Sequence, residues 1–299
     1  MLEDCDMTDK PLISFDYAIQ YLLKNKGDHE IVEGFISVLL GTLGYPPVKI
    51  NALLESASNK ESDDLKKSVA DLIVEDSKGV KYIVEIERSY TTNFMHKACF
   101  NSSRLISDNI FGAQDYRSIV KAFHISLLYF RPEEMQKPIC HGKTIIHEVD
   151  EEPVDISIIN QGNIRFQNKN IFPEYLFISV PAFNDIIRKE VDEWLYMLKN
   201  SDTKEDFKSP YMTKIKERLS VIKMSAKERS EYYKYLKDVI HAEDVLAAAT
   251  SKGEAKGRAE ERAARNIEIA KNMLSKKLDI KLISEITGLS EEDIRKLRS

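Results

Sequence analysis

The chain has 299 residues, 42% hydrophobic and 31% charged, enough apolar content for one large domain or two smaller ones, with no apolar run near the roughly 18 residues of a membrane span. Its 44 Lys and Arg against 49 Asp and Glu give a net charge of −5, a poor global field for a polyanion, so any nucleic acid must be held by local patches. Cys5, Cys99 and Cys140 are too scattered for a disulfide framework, and the opening MLEDCDMTDK lacks a cationic start and apolar segment; reduced thiols and a cytoplasmic location are expected.

In chain order, Phe15 to Leu23 has a helical pattern with Asp16 in its first turn, and Glu30 to Leu43 has another, stopped by Gly44 and Tyr45-Pro46-Pro47. Val48 to Leu54 is extended, and the polar stretch Ser56 to Lys66 is a loop. Asp71 to Val74 and Tyr82 to Ile86 form a hairpin turning through Asp76, Ser77, Lys78 and Gly79. A helix from about Asn93 to Phe111, a strand within Ser118 to Phe130, an irregular region punctuated by Pro and Gly, and a strand Tyr175 to Val180 complete an α/β pattern, a mixed sheet flanked by helices. Beyond Pro181 the signals are helical. Asn184 to Asn200 carries an apolar stripe through Val191, Trp194, Leu195 and Leu198, and further helical segments run to Ala249. Lys252 to Lys277 is a charged helix weakened by about 1 kcal/mol at each of Gly253 and Gly257, a hinge or connector. Ile280 to Thr287 and Ser290 to Leu297 form a closing helix pair around Gly288, with Asp293 three positions after the N-capping Ser290. The expected division is 1–181, 182–251 and 252–299. The last part, from Lys252, holds 12 basic against 9 acidic residues.

Chemistry concentrates at the hairpin. Alternation puts Glu85 and Glu87 on one face of the returning strand and Val84 and Ile86 on the other, and antiparallel pairing brings Asp71 beside the two acids. Clustered carboxylates cost free energy unless solvated, protonated or bound to a cation, and hard oxygen ligands suit Mg²⁺ or Mn²⁺. On spacing alone the solvated rim of a strand is the commoner meaning of such acids. The six histidines include no HExxH or compact ligand set, and no GxGxxG, GxxxxGK[ST] or GxSxG is present, so no nucleotide cofactor is expected.

The order of elements resembles the recombination-promoting nuclease (Rpn), transposase-like group of the PD-(D/E)xK nuclease superfamily. The resemblance rests on Ser14-Phe15-Asp16-Tyr17-Ala18-Ile19, the Asp71 and Glu85 hairpin, the helix after it, Gly112-Ala113-Gln114-Asp115-Tyr116, and the strand Ala122 to Phe130. It extends to Gly253, Gly257 and Ile283 to Ile294. It implies a restriction-endonuclease-like fold and a metal-dependent DNA endonuclease associated with recombination or mobile elements. Asp71 and Glu85 would hold Mg²⁺ or Mn²⁺ with the Ile86 carbonyl, and Glu87 would fill the third motif position. The chain departs from the pattern at Glu87, where lysine or glutamine is usual, at Gln20 for lysine, and at Lys97 and Asn101 for arginine and tyrosine.

Lys97, Asn101, Arg104 and Asp108 fall near one helical face. This stripe either meets phosphate, through Lys97 and Arg104 above all, or is a solvated helix face. Lys81 and Arg88 are candidates for the displaced lysine, Lys81 the better by alternation although about 13 Å along the strand from Glu85. Asp16 is an outer carboxylate of the site or a favourable charge at a helix start. The closing helix pair, with Glu285, Glu291, Glu292 and Asp293, fits packing against its preceding helix or a partner better than reading a phosphate backbone. DNA is the expected partner and self-association is compatible with the pattern. A catalytically degenerate module for nucleic-acid binding or protein assembly, or a protein-binding regulator, stands as the alternative.

Overall fold

Asp76 organises the hairpin. Its carboxylate accepts hydrogen bonds from the backbone N–H groups of Lys78 (2.8 Å) and Val80 (2.9 Å) and from the Tyr82 hydroxyl (3.0 Å), closing a turn in which Gly79 takes a φ of 78°, a region open to glycine at no steric cost. The turn joins β2 (Leu72–Asp76) to β3 (Lys81–Glu87), paired antiparallel with Leu72 opposite Val84 and Glu75 opposite Lys81.

The structure, a computed structural model, describes residues 11–19, 29–54, 72–90, 93–108, 116, 119–146, 149 and 170–297. Asp71, Gln20, the remainder of the first predicted helix to Leu23, the polar stretch Ser56 to Lys66 and Gly112 to Asp115 lie outside them.

Around the hairpin, β1 (Ile50–Leu54), β4 (Ala122–Leu128), β5 (Ile139–Gly142) and β6 (Glu174–Ser179) complete a six-stranded sheet of order β1-β2-β3-β4-β6-β5. Strands β3, β4 and β6 run parallel and the flanking pairs antiparallel. β5 corrects the expectation of an irregular segment there. With only four residues between Pro138 and Lys143 it shows no alternation, and its pairing with β6 makes it a strand. Central β4 is buried throughout, as a strand covered on both faces should be.

Helices α1 (Phe15–Tyr17), α2 (Glu30–Gly41), α3 (Phe94–Ser107), α4 (Glu190–Asn200) and α5 (Met212–Arg218) accompany the sheet. α3 is the crossover between parallel β3 and β4, and a right-handed crossover returns its helix onto the sheet. Leu105 of α3 packs on Ile83 and Ala122, so α3 covers the face that carries Glu85. The core continues where Phe15, Phe35 and Trp194 meet, with ring centroids 5.2 to 6.3 Å apart, bringing α1, α2 and α4 together.

The chain forms two compact units, Met1–Tyr235 and Leu236–Ser299. α6 (Ala226–Ser275) is continuous over 50 residues, so Gly253 and Gly257 do not interrupt it. Among the described residues no atom lies within 4 Å of a side chain placed at either position, and about 1 kcal/mol at each is offset by the alanines, glutamates and lysines around them. In the second unit, Ala270 of α6 packs with Ile283 of α7 (Ile280–Thr287) and Ile294 of α8 (Glu291–Lys296). Asp279 caps α7, accepting from the Lys281 N–H at 2.9 Å. Gly288 ends it with a φ of 69°, and Ser290 caps α8, accepting from the Asp293 N–H at 3.1 Å. The closing pair therefore packs on its preceding helix.

Candidate active site

Glu85 stands on β3, between antiparallel β2 and parallel β4, 1% exposed. Such a carboxylate needs partners, and the neighbouring elements supply some of them. From α3, the Asn101 amide donates to Oε1 and the Lys97 ammonium lies 3.8 Å from the same oxygen. From β4, His124 Nε2 lies 3.2 Å from Oε2, but off the hydrogen-bonding direction, so among the described residues Glu85 Oε2 and His124 Nε2 are both buried without a hydrogen-bond partner. The other ring nitrogen, Nδ1, is 3.3 Å from the Ser102 hydroxyl, which fixes the orientation of the fully buried imidazole.

Two residues further along the same face, the strand emerges. Glu87 Oε1 accepts from Lys97 Nζ at 2.7 Å, the glutamate 12% and the lysine 43% exposed at their side chains. Lys97 thus stands over both acids, its ammonium nearer the outer one.

Of the predicted site residues, the structure brings together Glu85, Glu87 and Lys97, with Ile86 between the acids on β3. Asp71 lies outside the described residues, immediately before β2 in sequence. The α3 stripe divides. Lys97 and Asn101 turn to the carboxylates, whereas Arg104 Nε pairs with Asp108 at 3.0 Å one turn on. Both proposed substitutes for the motif lysine have carboxylate partners other than Glu85 and Glu87. Lys81 is buried at the far end of β3 and pairs with Glu75 across the hairpin at 2.5 Å. Arg88, on the opposite face by alternation, pairs with Asp16.

That second pair settles Asp16. The residue is wholly buried in the first turn of α1 and accepts from the Arg88 guanidinium and the Tyr235 hydroxyl of α6, so the charge at this helix start is held in a buried ion pair. The guanidinium also lies 4.7 Å from the Tyr129 ring centroid. Burial pushes the Tyr129 hydroxyl up to about 12 against the opposing charge of Arg88.

His124 and Ser102 were missed in the sequence. A polar residue at alternate positions of a uniformly apolar strand is the signal that could have found His124, but its contact with Glu85 requires the parallel register of β3 on β4.

Glu85 Oε2, buried without a hydrogen-bond partner among the described residues, is an acceptor that a cation would satisfy. Among the described residues alone, no group of three or more His, Cys, Asp and Glu is arranged around a common point.

The comparisons with known proteins agree with this architecture. Residues 13–249 match the family model described as a PD-(D/E)XK nuclease family transposase, and residues 263–299 match the C-terminal HTH domain of the Rpn/YhgA-like nuclease family. No curated protein and no solved structure matches the chain. A mixed sheet with the crossover helix over its acidic strand, followed by a helical C-terminal region, is a restriction-endonuclease-like fold, and the chain belongs to the PD-(D/E)XK nuclease family of transposases.

Proposed function

We propose that the protein is a divalent-metal-dependent DNA endonuclease, acting in recombination or the movement of mobile elements, with its site at the end of the β2–β3 hairpin. The observation that carries this reading is Glu85, a carboxylate buried between strand and crossover helix with one oxygen lacking a hydrogen-bond partner among the described residues, on the strand where this family carries its acidic motif. Asp71 and Glu85 are the proposed carboxylate ligands and the Ile86 carbonyl the third oxygen, a hard donor set suited to Mg²⁺ or Mn²⁺. When bound, the ion would lower the pKa of water and neutralise charge on the phosphoryl group.

The remaining work falls to the chain. Asn101 holds Glu85 Oε1, and His124, whose ring is oriented by Ser102, lies 3.2 Å from the other oxygen, so one side of the carboxylate is positioned before reaction. Glu87, at the mouth, is positioned to accept a proton from water or to add a ligand oxygen. Lys97 and Arg104, seven positions apart on α3 and therefore on one face, are the proposed phosphate contacts. The C-terminal helix pair is the proposed second attachment to DNA or to another copy of the chain. Hydrolysis forms one P–O bond to water and breaks the bond to the departing sugar oxygen, to which a proton is returned through solvent.

Plasmid nicking with Mg²⁺ or Mn²⁺, compared among the wild type, Asp71→Ala and Glu85→Gln, tests the proposal. Metal-dependent nicking lost in both variants, with unchanged circular dichroism, is expected. A wild-type protein that retains DNA at low salt without cutting it identifies instead a nuclease-fold binding module.

A further inference from the structure

Glu85 Oε2 and His124 Nε2 lie 3.2 Å apart, and both are buried without a hydrogen-bond partner among the described residues. A carboxylate and an imidazole this close ordinarily hydrogen-bond, and burying both without a partner is costly. We infer that the two atoms ligate one divalent ion, so that His124 adds a nitrogen to the oxygen donors proposed above and biases the site toward Mn²⁺ over Mg²⁺. The inference rests on the nuclease reading and extends its donor set by a residue of β4.

Separation, support and chemistry each carry it. Metal–ligand bonds of about 2.1 Å place adjacent ligand atoms about 3.0 Å apart in octahedral and about 3.4 Å apart in tetrahedral geometry, and 3.2 Å lies between them. With the same bonds an ion stands about 40° off the line joining the two atoms, so ligands that share it need not point at each other, as these do not. The support comes from three elements. His124 pairs with Ile83 of β3 and Tyr175 of β6, which by alternation puts its side chain on the face that carries Glu85. Its Nδ1 is 3.3 Å from the Ser102 hydroxyl of α3, and its ring centroid is 6.0 Å from that of Tyr175. With Nδ1–H donated to Ser102, Nε2 presents its lone pair on the Glu85 side, the usual support of a metal-bound imidazole. Asn101 and Lys97 attend the other oxygen of Glu85, Oε1, which assigns the ion to Oε2. As to chemistry, Mg²⁺ takes oxygen ligands and keeps its waters, whereas imidazole nitrogen is a common ligand of first-row transition ions. One nitrogen among oxygens therefore widens the gap between the two ions.

The test is pulsed EPR of Mn²⁺ bound to the full-length chain, unlabelled and with ¹⁵N-histidine, together with calorimetric affinities for Mn²⁺ and Mg²⁺ in the absence of DNA. A histidine nitrogen coupled to Mn²⁺ is expected in the wild type. His124→Gln and His124→Leu, with circular dichroism as the fold control, should lose that coupling and about tenfold or more in Mn²⁺ affinity, but less than about threefold in Mg²⁺ affinity. Ser102→Ala, which removes the hydroxyl behind the ring and no ligand, should lower Mn²⁺ affinity about tenfold. Mn²⁺ bound by the wild type without nitrogen coupling overturns the inference, needs no substituted protein, and leaves the nuclease reading in place. So does a coupling that persists in a folded His124 variant, which belongs to another histidine, and so does an unchanged Mn²⁺ affinity in Ser102→Ala. A wild type that binds neither ion at millimolar concentration overturns the nuclease reading and this inference together.

Discussion

Replacing Arg88 by methionine removes the positive partner of a carboxylate that has no access to water. Asp16 is 0% exposed and Arg88 retains 22% exposure at its side chain, so the two ends of the pair are not equivalent. Arg88→Met strands a charge that keeps the Tyr235 hydroxyl as a donor, and breaking a buried pair in this sense costs about 3–5 kcal/mol. The guanidinium above the Tyr129 ring at 4.7 Å adds about 1 kcal/mol. Asp16→Asn keeps the shape and leaves a cation that turns to solvent, at a cost of about 1–3 kcal/mol. The double variant should therefore be more stable than Arg88→Met alone, a non-additivity that marks direct coupling. Trp194 is the single tryptophan of the chain and is buried in the same unit, so its fluorescence in a urea titration follows that unit without contribution from the C-terminal one. A loss below about 1 kcal/mol for Arg88→Met, or strict additivity in the cycle, would refute a buried clamp between α1, the end of β3 and α6.

Two further predictions concern the frame around the site. A methyl group placed on Gly34 would lie within 2.7 Å of ring atoms of Tyr211, so Gly34→Ala should lose about 1–2 kcal/mol despite a helix-propensity gain of about 1 kcal/mol; in a Tyr211→Leu background the same change should stabilise, as denaturation midpoints will show. At the N-terminal end of β6, burial would raise the Glu174 carboxyl, but hydrogen bonds from Lys121, Tyr45 and His141 hold it below its ordinary 4.5. Burial holds the Lys121 ammonium below 10.5. A carboxyl depressed on folding contributes stability above about pH 4.5 that is lost as pH falls through its folded value. Glu174→Gln should cost about 2–4 kcal/mol at neutral pH and flatten the acid limb of the stability curve, read by urea titrations between pH 7 and pH 3; an unchanged acid limb would remove Glu174 from that role.

Periodicity made much of the fold legible. Alternation placed Glu85 and Glu87 on one face of β3, and the helical stripe through Trp194 and the caps Ser290 and Gly288 marked α4 and the C-terminal pair. What escaped was set by tertiary partners distant in sequence. Arg88 and Asp16 are 72 positions apart, and no local pattern shows that a charged residue following a strand will meet a charged residue of the first helix. Lys97 and Asn101 were legible as a polar stripe, but whether such a stripe faces phosphate, water or the neighbouring strand depends on how the crossover helix rotates over the sheet. Here Leu105 against Ile83 and Ala122 sets that rotation and turns Lys97 onto the acids. The short edge strand β5 was hidden because four residues leave no room for a period to show.

The central claim is that the acids of β3 serve phosphodiester hydrolysis, and plasmid nicking by the wild type and Glu85→Gln in parallel, with Mn²⁺ and with excess chelator, tests it most directly. Nicking by the wild type that requires the ion and is absent from a folded Glu85→Gln protein is the predicted result. Equal nicking by the two proteins, or none by the wild type in either ion, would contradict it.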